Sequence, residues 1–81
     1  MNVRVRLFAA ARQAAGCEEV ELELPRGATI GELRRRLVGD LPRLSGLVAQ
    51  ATFAIDTEYA RDSDEIVAGA DVACIPPVSG G

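Results

Sequence analysis

The sequence predicts an α+β domain in which a mixed β-sheet packs against one main helix and an extended segment follows the last strand. Three observations support this prediction. Apolar and polar residues alternate near both ends of the chain, and this two-residue period is typical of half-buried strands. A strongly amphipathic helical segment lies between them. Two prolines follow the last alternating stretch and end its strand pairing.

The first half of the chain predicts two strands and a short helix. Val3, Val5 and Leu7 alternate with arginines and predict a strand with one buried face. The alanine-rich residues 9–15, followed by Gly16, predict a short helix with a glycine C-cap. Residues 19–24 alternate three glutamates with apolar side chains and predict a second strand, whose glutamates would face Arg4 and Arg6 if the two strands pair.

The main helix has the clearest signature. Thr29 and Glu32 fit a capping box, in which Thr29 is the N-cap. Ile30, Leu33 and Leu37 recur at helical spacing and should cover the inner face of the sheet. Residues 34–36 are all arginine, and we interpret them as a solvated face that complements the helix dipole near the C-terminal end.

The second half predicts four further elements. A helix spans residues 41–48 with Pro42 at its first position, and a strand spans residues 51–55. A turn at Asp56 and Thr57 leads to a return strand over residues 58–60, and a final strand spans residues 72–75. Ile66 should return to the core. The right-handed crossover rule places the last strand parallel to the first. This order predicts a ubiquitin-like β-grasp.

The phase of the alternation places apolar residues on the outer face of the sheet. Phe8 is out of phase with the first strand's buried residues, and Ile75 is out of phase with those of the last strand. Tyr59 joins them from the return strand. We therefore predict that Phe8, Tyr59 and Ile75 form a partner-binding patch, the alternative being isolated surface apolar residues.

Composition restricts the function. The 81 residues carry a net charge of −3, which argues against nucleic acid, and no apolar run reaches the length of a membrane span. Met1 to Arg4 do not resemble a signal peptide, so we expect a cytoplasmic protein. Histidine and lysine are both absent, which disfavours an autonomous acid–base enzyme.

Cys17 is expected in a loop and Cys74 in the core, without a disulfide.

The last residues suggest a functional tail, so we divide the chain into a domain (1–75) and a flexible tail (76–81). Its residues are Pro76, Pro77, Val78, Ser79, Gly80 and Gly81. The prolines favour an extended arm, and the two glycines allow another protein to close on the backbone and reach the α-carboxylate of Gly81.

Over essentially its whole length the chain resembles the MoaD family, the small sulfur-carrier subunits of molybdopterin synthase. The resemblance depends on Leu7-Phe8-Ala9 with Ala11-Arg12, on the turn from Gly69 to Ala73, and above all on the tail motif from Pro76 to Gly81. The family's hydrophobic contact positions fall on Phe8, Tyr59 and Ile75.

The resemblance implies that a ubiquitin-activating-like adenylyltransferase uses ATP and Mg²⁺ to attach AMP to Gly81. Sulfur from a donor protein then replaces AMP to give a thiocarboxylate. The tail, residues 76–81, would thread into the large subunit of molybdopterin synthase, where sulfur passes to cyclic pyranopterin monophosphate. Catalytic groups come from the partners, and this chain binds no permanent cofactor or metal.

Two alternatives stay open. The chain could be a sulfur carrier for thiazole, cysteine or tRNA thiolation, since those tails also end in Gly-Gly. It could instead be a non-catalytic β-grasp interaction module, whose binding would survive removal of Ser79, Gly80 and Gly81.

Overall fold

The computed structural model describes residues 1–77, and residues 78–81 lie outside the described part of the chain. In chain order the elements are β1 (Asn2–Leu7), α1 (Ala9–Ala15), β2 (Glu19–Glu23), α2 (Ile30–Asp40), a 3₁₀ turn (Pro42–Leu44), α3 (Ser45–Gln50), β3 (Thr52–Ile55), β4 (Glu58–Ala60) and β5 (Asp71–Ile75). Within residues 1–77, no helix is both long and apolar enough to cross a membrane.

The five strands form one mixed sheet in the order β2-β1-β5-β3-β4. β5 lies at its centre, parallel to β1 and antiparallel to β3. The antiparallel pairs β1–β2 and β3–β4 place β2 and β4 at the two edges. The predicted parallel pairing of the last strand with the first is confirmed, and with it the ubiquitin-like β-grasp topology.

The core lies between the inner face of the sheet and the helices, and the strand alternation decides which side chains enter it. The buried side chains of the three central elements are Val3, Val5 and Leu7 of β1, Val72 and Cys74 of β5, and Ile30, Leu33 and Leu37 of α2. Phe53 and Ile66 are buried as well. Each such apolar side chain contributes about 1.5–3 kcal/mol when it is fully buried.

The start of α2 follows the predicted cap. The Thr29 hydroxyl accepts a hydrogen bond of 3.3 Å from the Glu32 amide. The Ile30 amide donates to the carbonyl of Asp64 at 3.0 Å, and the loop that contains Asp64 therefore satisfies a helix-start donor. α2 ends at Asp40, as predicted. α1 also ends as predicted, at a left-handed Gly16 with φ 75°.

The predicted helix over residues 41–48 is two elements. Pro42 begins the 3₁₀ turn, where its missing amide hydrogen costs no internal bond. α3 follows from Ser45 to Gln50. Leu44, Leu47 and Val48 were predicted to lie against the core, and Leu44 and Val48 are fully buried although the helix is divided, whereas Leu47 is only half-buried.

The prediction of a solvated arginine face is wrong for Arg34. Its side chain is only 21% exposed. Nη1 donates to the carbonyls of Val48 at 2.6 Å and Ala51 at 2.9 Å, while Nη2 donates to Asp62 Oδ1 at 2.7 Å. At the C-terminal end of α3 the Val48 carbonyl accepts from the Ala51 amide at 3.2 Å, and the guanidinium adds a charged donor to the same carbonyl. Arg34 therefore caps a neighbouring helix.

The expected contribution of the arginines to the dipole of α2 is also wrong, because the last turn of α2 contains no basic residue. Arg36 pairs instead with Asp40, with Nε 3.2 Å from Oδ1, and donates to the carbonyl of Glu23 at 3.1 Å. Arg35 is exposed, as predicted.

The predicted turn at Asp56 and Thr57 joins β3 to β4. Both residues have positive φ, 49° and 72°, which is the conformation of a type I′ hairpin turn. This turn suits the twist of two antiparallel strands, but it places a β-branched residue in the left-handed region. The turn therefore holds the hairpin geometry at a local cost in backbone strain.

Candidate docking surface at the root of the tail

The ladder between β1 and β5 brings Phe8 beside Ile75. Leu7 is the register partner of Cys74. Beyond this last pair, the Phe8 amide donates to the Cys74 carbonyl at 3.2 Å. Since Leu7 and Cys74 are both buried, their neighbours Phe8 and Ile75 lie toward the outer face.

The hairpin brings Tyr59 to the same face. Tyr59 is the register partner of Ala54, and Ala54 is the register partner of Ala73. Two small side chains thus lie between Tyr59 on β4 and Arg6 on β1, because Arg6 is the partner of Ala73. Alanines between longer side chains make the floor of a hollow.

This hollow, which we call the apolar concavity, has a volume of about 240 Å³. Its lining residues are Arg6, Phe8, Ala54, Thr57, Tyr59, Asp71, Ala73 and Ile75. The structure therefore brings together all three residues predicted to bind a partner. Phe8 is 43% exposed and Tyr59 is 80% exposed, which leaves two aromatic rings open to a partner. Their role in binding stays a prediction.

The last described residues, Pro76 and Pro77, lie next to this hollow. Pro76 is buried and continues the inward phase of Val72 and Cys74, whereas Pro77 is exposed. A second hollow of about 400 Å³ is lined by Thr52, Tyr59, Ile75, Pro76 and Pro77. Tyr59 and Ile75 line both hollows, so the apolar concavity is continuous with the surface beside Pro76 and Pro77. Val78, Ser79, Gly80 and Gly81 lie outside the described residues.

Charged groups border the apolar concavity. Arg6 Nε lies 3.3 Å from Asp71 Oδ1. Asp71 is held in turn by Asp56: the Asp71 amide donates to Asp56 Oδ1 at 2.9 Å, and the Asp56 amide donates to the Asp71 carbonyl at 2.8 Å. The glutamates of β2 were predicted to face both arginines. Arg4 does pair with Glu19 at 3.8 Å, but Arg6 turns to β5 instead.

The two cysteines contribute nothing to this surface. Cys17 is exposed and Cys74 is buried on the inner face, and both are free thiols, as predicted. Burial raises the pKa of the Cys74 thiol to about 11, and the nearby positive charge of Arg34 partly opposes this rise. The described residues contain no group of three or more His, Cys, Asp or Glu side chains placed to hold a metal ion.

Sequence reasoning missed several lining residues, although the signal for some of them was present. Ala73 alternates with the buried Val72 and Cys74, and Arg6 alternates with the buried Val5 and Leu7, so the phase that placed Phe8 and Ile75 places these two as well. The ion pair between Arg6 and Asp71 needed the strand register, which no local pattern gives.

The sheet order and the parallel central pair define a ubiquitin-like protein of the β-grasp class, with an apolar hollow beside its last described residues. Comparison with known proteins narrows this class. The chain belongs to the ThiS family, whose model matches residues 5–81. A curated relative, the molybdopterin synthase sulfur carrier subunit of Chlamydomonas reinhardtii, is 36% identical over 83 residues and is aligned over 100% of both chains.

Solved structures agree with the fold. SAMP1 from Haloferax volcanii has a TM-score of 0.87 at 29% identity, with both chains covered in full. In the complex of subunits 1 and 2 of the molybdopterin-converting factor from Helicobacter pylori, one chain matches with a TM-score of 0.70 at 21% identity, again over 100% of both chains. At that identity the match shows the fold alone.

Proposed function

We propose that this chain is the sulfur-carrier subunit of a molybdopterin synthase. The observation that carries the proposal is the full-length similarity, 36% identical, to a relative of that name. The apolar concavity at the root of the tail supports it, because a carrier must be held by larger proteins while its end is modified. The proposal keeps the cytoplasmic location expected from the sequence.

The chemistry takes place on the carboxylate of Gly81. In an adenylyltransferase, this carboxylate attacks the α-phosphorus of ATP bound with Mg²⁺, which forms an acyl-adenylate and releases pyrophosphate. The terminal sulfur of a donor protein's persulfide then attacks the acyl carbon, and AMP leaves. A thiol reduces the resulting S–S bond, forming a disulfide with the donor and leaving a thiocarboxylate on Gly81.

The charged tail, residues 76–81, would then enter the large subunit of molybdopterin synthase and give its sulfur to cyclic pyranopterin monophosphate. This chain supplies positioning in that reaction. Phe8, Tyr59 and Ile75 dock the globule. The buried Pro76 and the exposed Pro77 mark where the chain leaves the globule, and proline fixes φ there, so less entropy is lost when the tail is threaded.

The test is to incubate the chain with ATP, Mg²⁺, a sulfur donor and the adenylyltransferase, and to measure the intact mass. We expect replacement of one oxygen by one sulfur, located at Gly81 by fragmentation. A chain that lacks Gly80 and Gly81 should fold normally and stay uncharged. An unchanged mass of the full chain, with a known carrier charged in parallel, would refute the proposal.

A second measurement separates the open alternatives. The charged chain is mixed with the large subunit and cyclic pyranopterin monophosphate, and in parallel with thiazole, cysteine and tRNA thiolation systems. We expect molybdopterin in the first mixture alone. Sulfur transfer in another mixture would assign the carrier to that pathway. Binding to the large subunit that survives removal of Ser79, Gly80 and Gly81, without sulfur transfer in any of the mixtures, would indicate an interaction module.

A further inference from the structure

Arg6 lies at the centre of the outer face. It stands on β1 beside the central strand β5, opposite Ala73. Its side chain lines the apolar concavity with Phe8 and Ile75, and it also lines a polar hollow with Arg4 and Asp71. A partner that fills the apolar concavity therefore contacts the Arg6 side chain, whose guanidinium Nε lies 3.3 Å from Asp71, another lining residue of the concavity.

The guanidinium is held on one side only. Nε contacts Asp71 at 3.3 Å, and the side chain of Arg6 remains 58% exposed. Within residues 1–77, the two Nη groups donate no hydrogen bond. Arg34 and Arg36 show the contrast, since each uses Nη groups to bind carbonyl or carboxylate oxygens. The two Nη groups of Arg6 are therefore available to a hydrogen-bond acceptor on another protein.

Covering these donors without an acceptor would cost more than the neighbouring apolar contact contributes, because an arginine side chain stays charged when it is buried. A carboxylate is the acceptor that fits, since its two oxygens match the spacing of the Nη groups. From the geometry we infer that Arg6 is a specificity-determining residue of the docking surface: it selects a protein partner that places an Asp or Glu carboxylate beside the apolar side chain filling the concavity.

This inference rests on the proposed function for the identity of the partner, which we take to be the large subunit of the synthase. Arg4 is the matched control. It lies on the same strand and the same face, is 62% exposed, pairs with Glu19, and lines the polar hollow but not the apolar concavity. Both side chains are solvent-exposed, so replacing either with alanine should leave the fold intact.

The experiment measures affinity for the purified large subunit by titration calorimetry, with the wild-type chain and with Arg6→Ala, Arg6→Lys and Arg4→Ala. Circular dichroism and thermal melting establish that each variant is folded. We expect Arg6→Ala to weaken binding by about tenfold or more and Arg4→Ala by less than about threefold. The affinity of Arg6→Lys should lie between those of the two alanine variants, because lysine keeps the positive charge but lacks the paired Nη donors of arginine.

The partner's carboxylate is found by replacing interface Asp and Glu residues of the large subunit one at a time with alanine. One of these replacements should weaken binding of the wild-type chain about as much as Arg6→Ala does. The same replacement should not weaken binding of the Arg6→Ala chain any further. Equal effects of Arg6→Ala and Arg4→Ala, or the lack of any such coupled carboxylate, would overturn the inference alone. A wild-type chain that does not bind the large subunit would overturn both the inference and the partner assignment, while the Gly81 charging assay would still report on the carrier chemistry.

Discussion

The guanidinium carbon of Arg34 lies 4.9 Å from the centroid of the Phe53 ring. Phe53 is fully buried in β3, so the cation covers the face of a core aromatic ring. The same side chain binds the carbonyls of Val48 and Ala51 and the carboxylate of Asp62. One arginine thus connects α2 with the end of α3, with β3 and with the loop after β4.

We expect Arg34→Ala to lower the free energy of unfolding by about 2–3 kcal/mol. The substitution leaves the carbonyls of Val48 and Ala51 without their charged donor, and bonds to charged groups contribute about 1.5–3 kcal/mol. Loss of the contact with Phe53 adds to this cost. Urea denaturation followed by circular dichroism measures the change.

Arg35→Ala is the matched control, since Arg35 is the next residue on α2 and is exposed. It should change stability by no more than about 0.5 kcal/mol. Equal effects of the two substitutions would mean that Arg34 acts through helix propensity alone and does not cap α3.

Thr57→Gly should stabilise the protein by about 0.5–1 kcal/mol. Thr57 has φ 72°, and a β-branched side chain is strained in that region. Glycine removes the strain, and this gain exceeds the entropy that glycine adds to the unfolded chain. Differential scanning calorimetry at several scan rates would record the higher melting temperature.

The opposite sign is expected for Thr52→Gly. Thr52 is an exposed strand residue in β3 and is not among the residues with positive φ. There, glycine adds only flexibility and lowers strand stability. If Thr57→Gly destabilises the protein as Thr52→Gly does, the type I′ turn is not a site of strain.

Stability should fall as the pH rises from about 9.0, the ordinary pKa of a cysteine thiol, to about 11, the pKa of buried Cys74. The unfolded chain loses the thiol proton first, so ionisation favours unfolding, and the stabilisation is complete only below the unfolded pKa. A shift of this size corresponds to roughly 2–3 kcal/mol. Since the chain has no lysine, few other groups titrate in this range.

Urea denaturation at a series of pH values tests this dependence, with Cys74→Ala as the control. The alanine variant is expected to be less stable near neutral pH, because it leaves a small cavity, and to vary little across the alkaline range. A parallel decline of both chains would assign the pH dependence to other groups.

Tyr59→Ala should weaken binding to the large subunit by about tenfold or more and leave stability within about 0.5 kcal/mol. Tyr59 is 80% exposed and lines both hollows, so its ring contributes contact area and little to the core. Val67→Ala serves as the control, because Val67 is 72% exposed and lies outside both hollows. Similar affinities of the two variants would place the docking surface elsewhere.

Much of the fold could be predicted because burial imposes a period on the sequence. The alternation of Val3, Val5 and Leu7 gave β1 and its inner face, and the phase of Cys74 placed Ile75 on the outer face. The same period could have placed Pro76 inward, since it lies two residues after Cys74. The apolar part of the candidate site follows from this reasoning.

Interactions that depend on register and on the crossing of distant elements were not predictable. Arg34 belongs to a run of three arginines, and a run of that kind is typical of solvated faces. Its capping role arises only because α3 ends beside it. Arg6 likewise has Glu19 as its register partner on β2, but its ion pair is with Asp71 on β5.

The position of β5 between β1 and β3 has a consequence for synthesis in the cell. Until residues 71–75 emerge from the ribosome, the two hairpins have no common strand, and the hollow formed by Phe8, Tyr59 and Ile75 does not exist. An unfinished polypeptide therefore lacks the apolar concavity. Under the proposed function, only chains translated through the central strand carry the surface that docks on a partner.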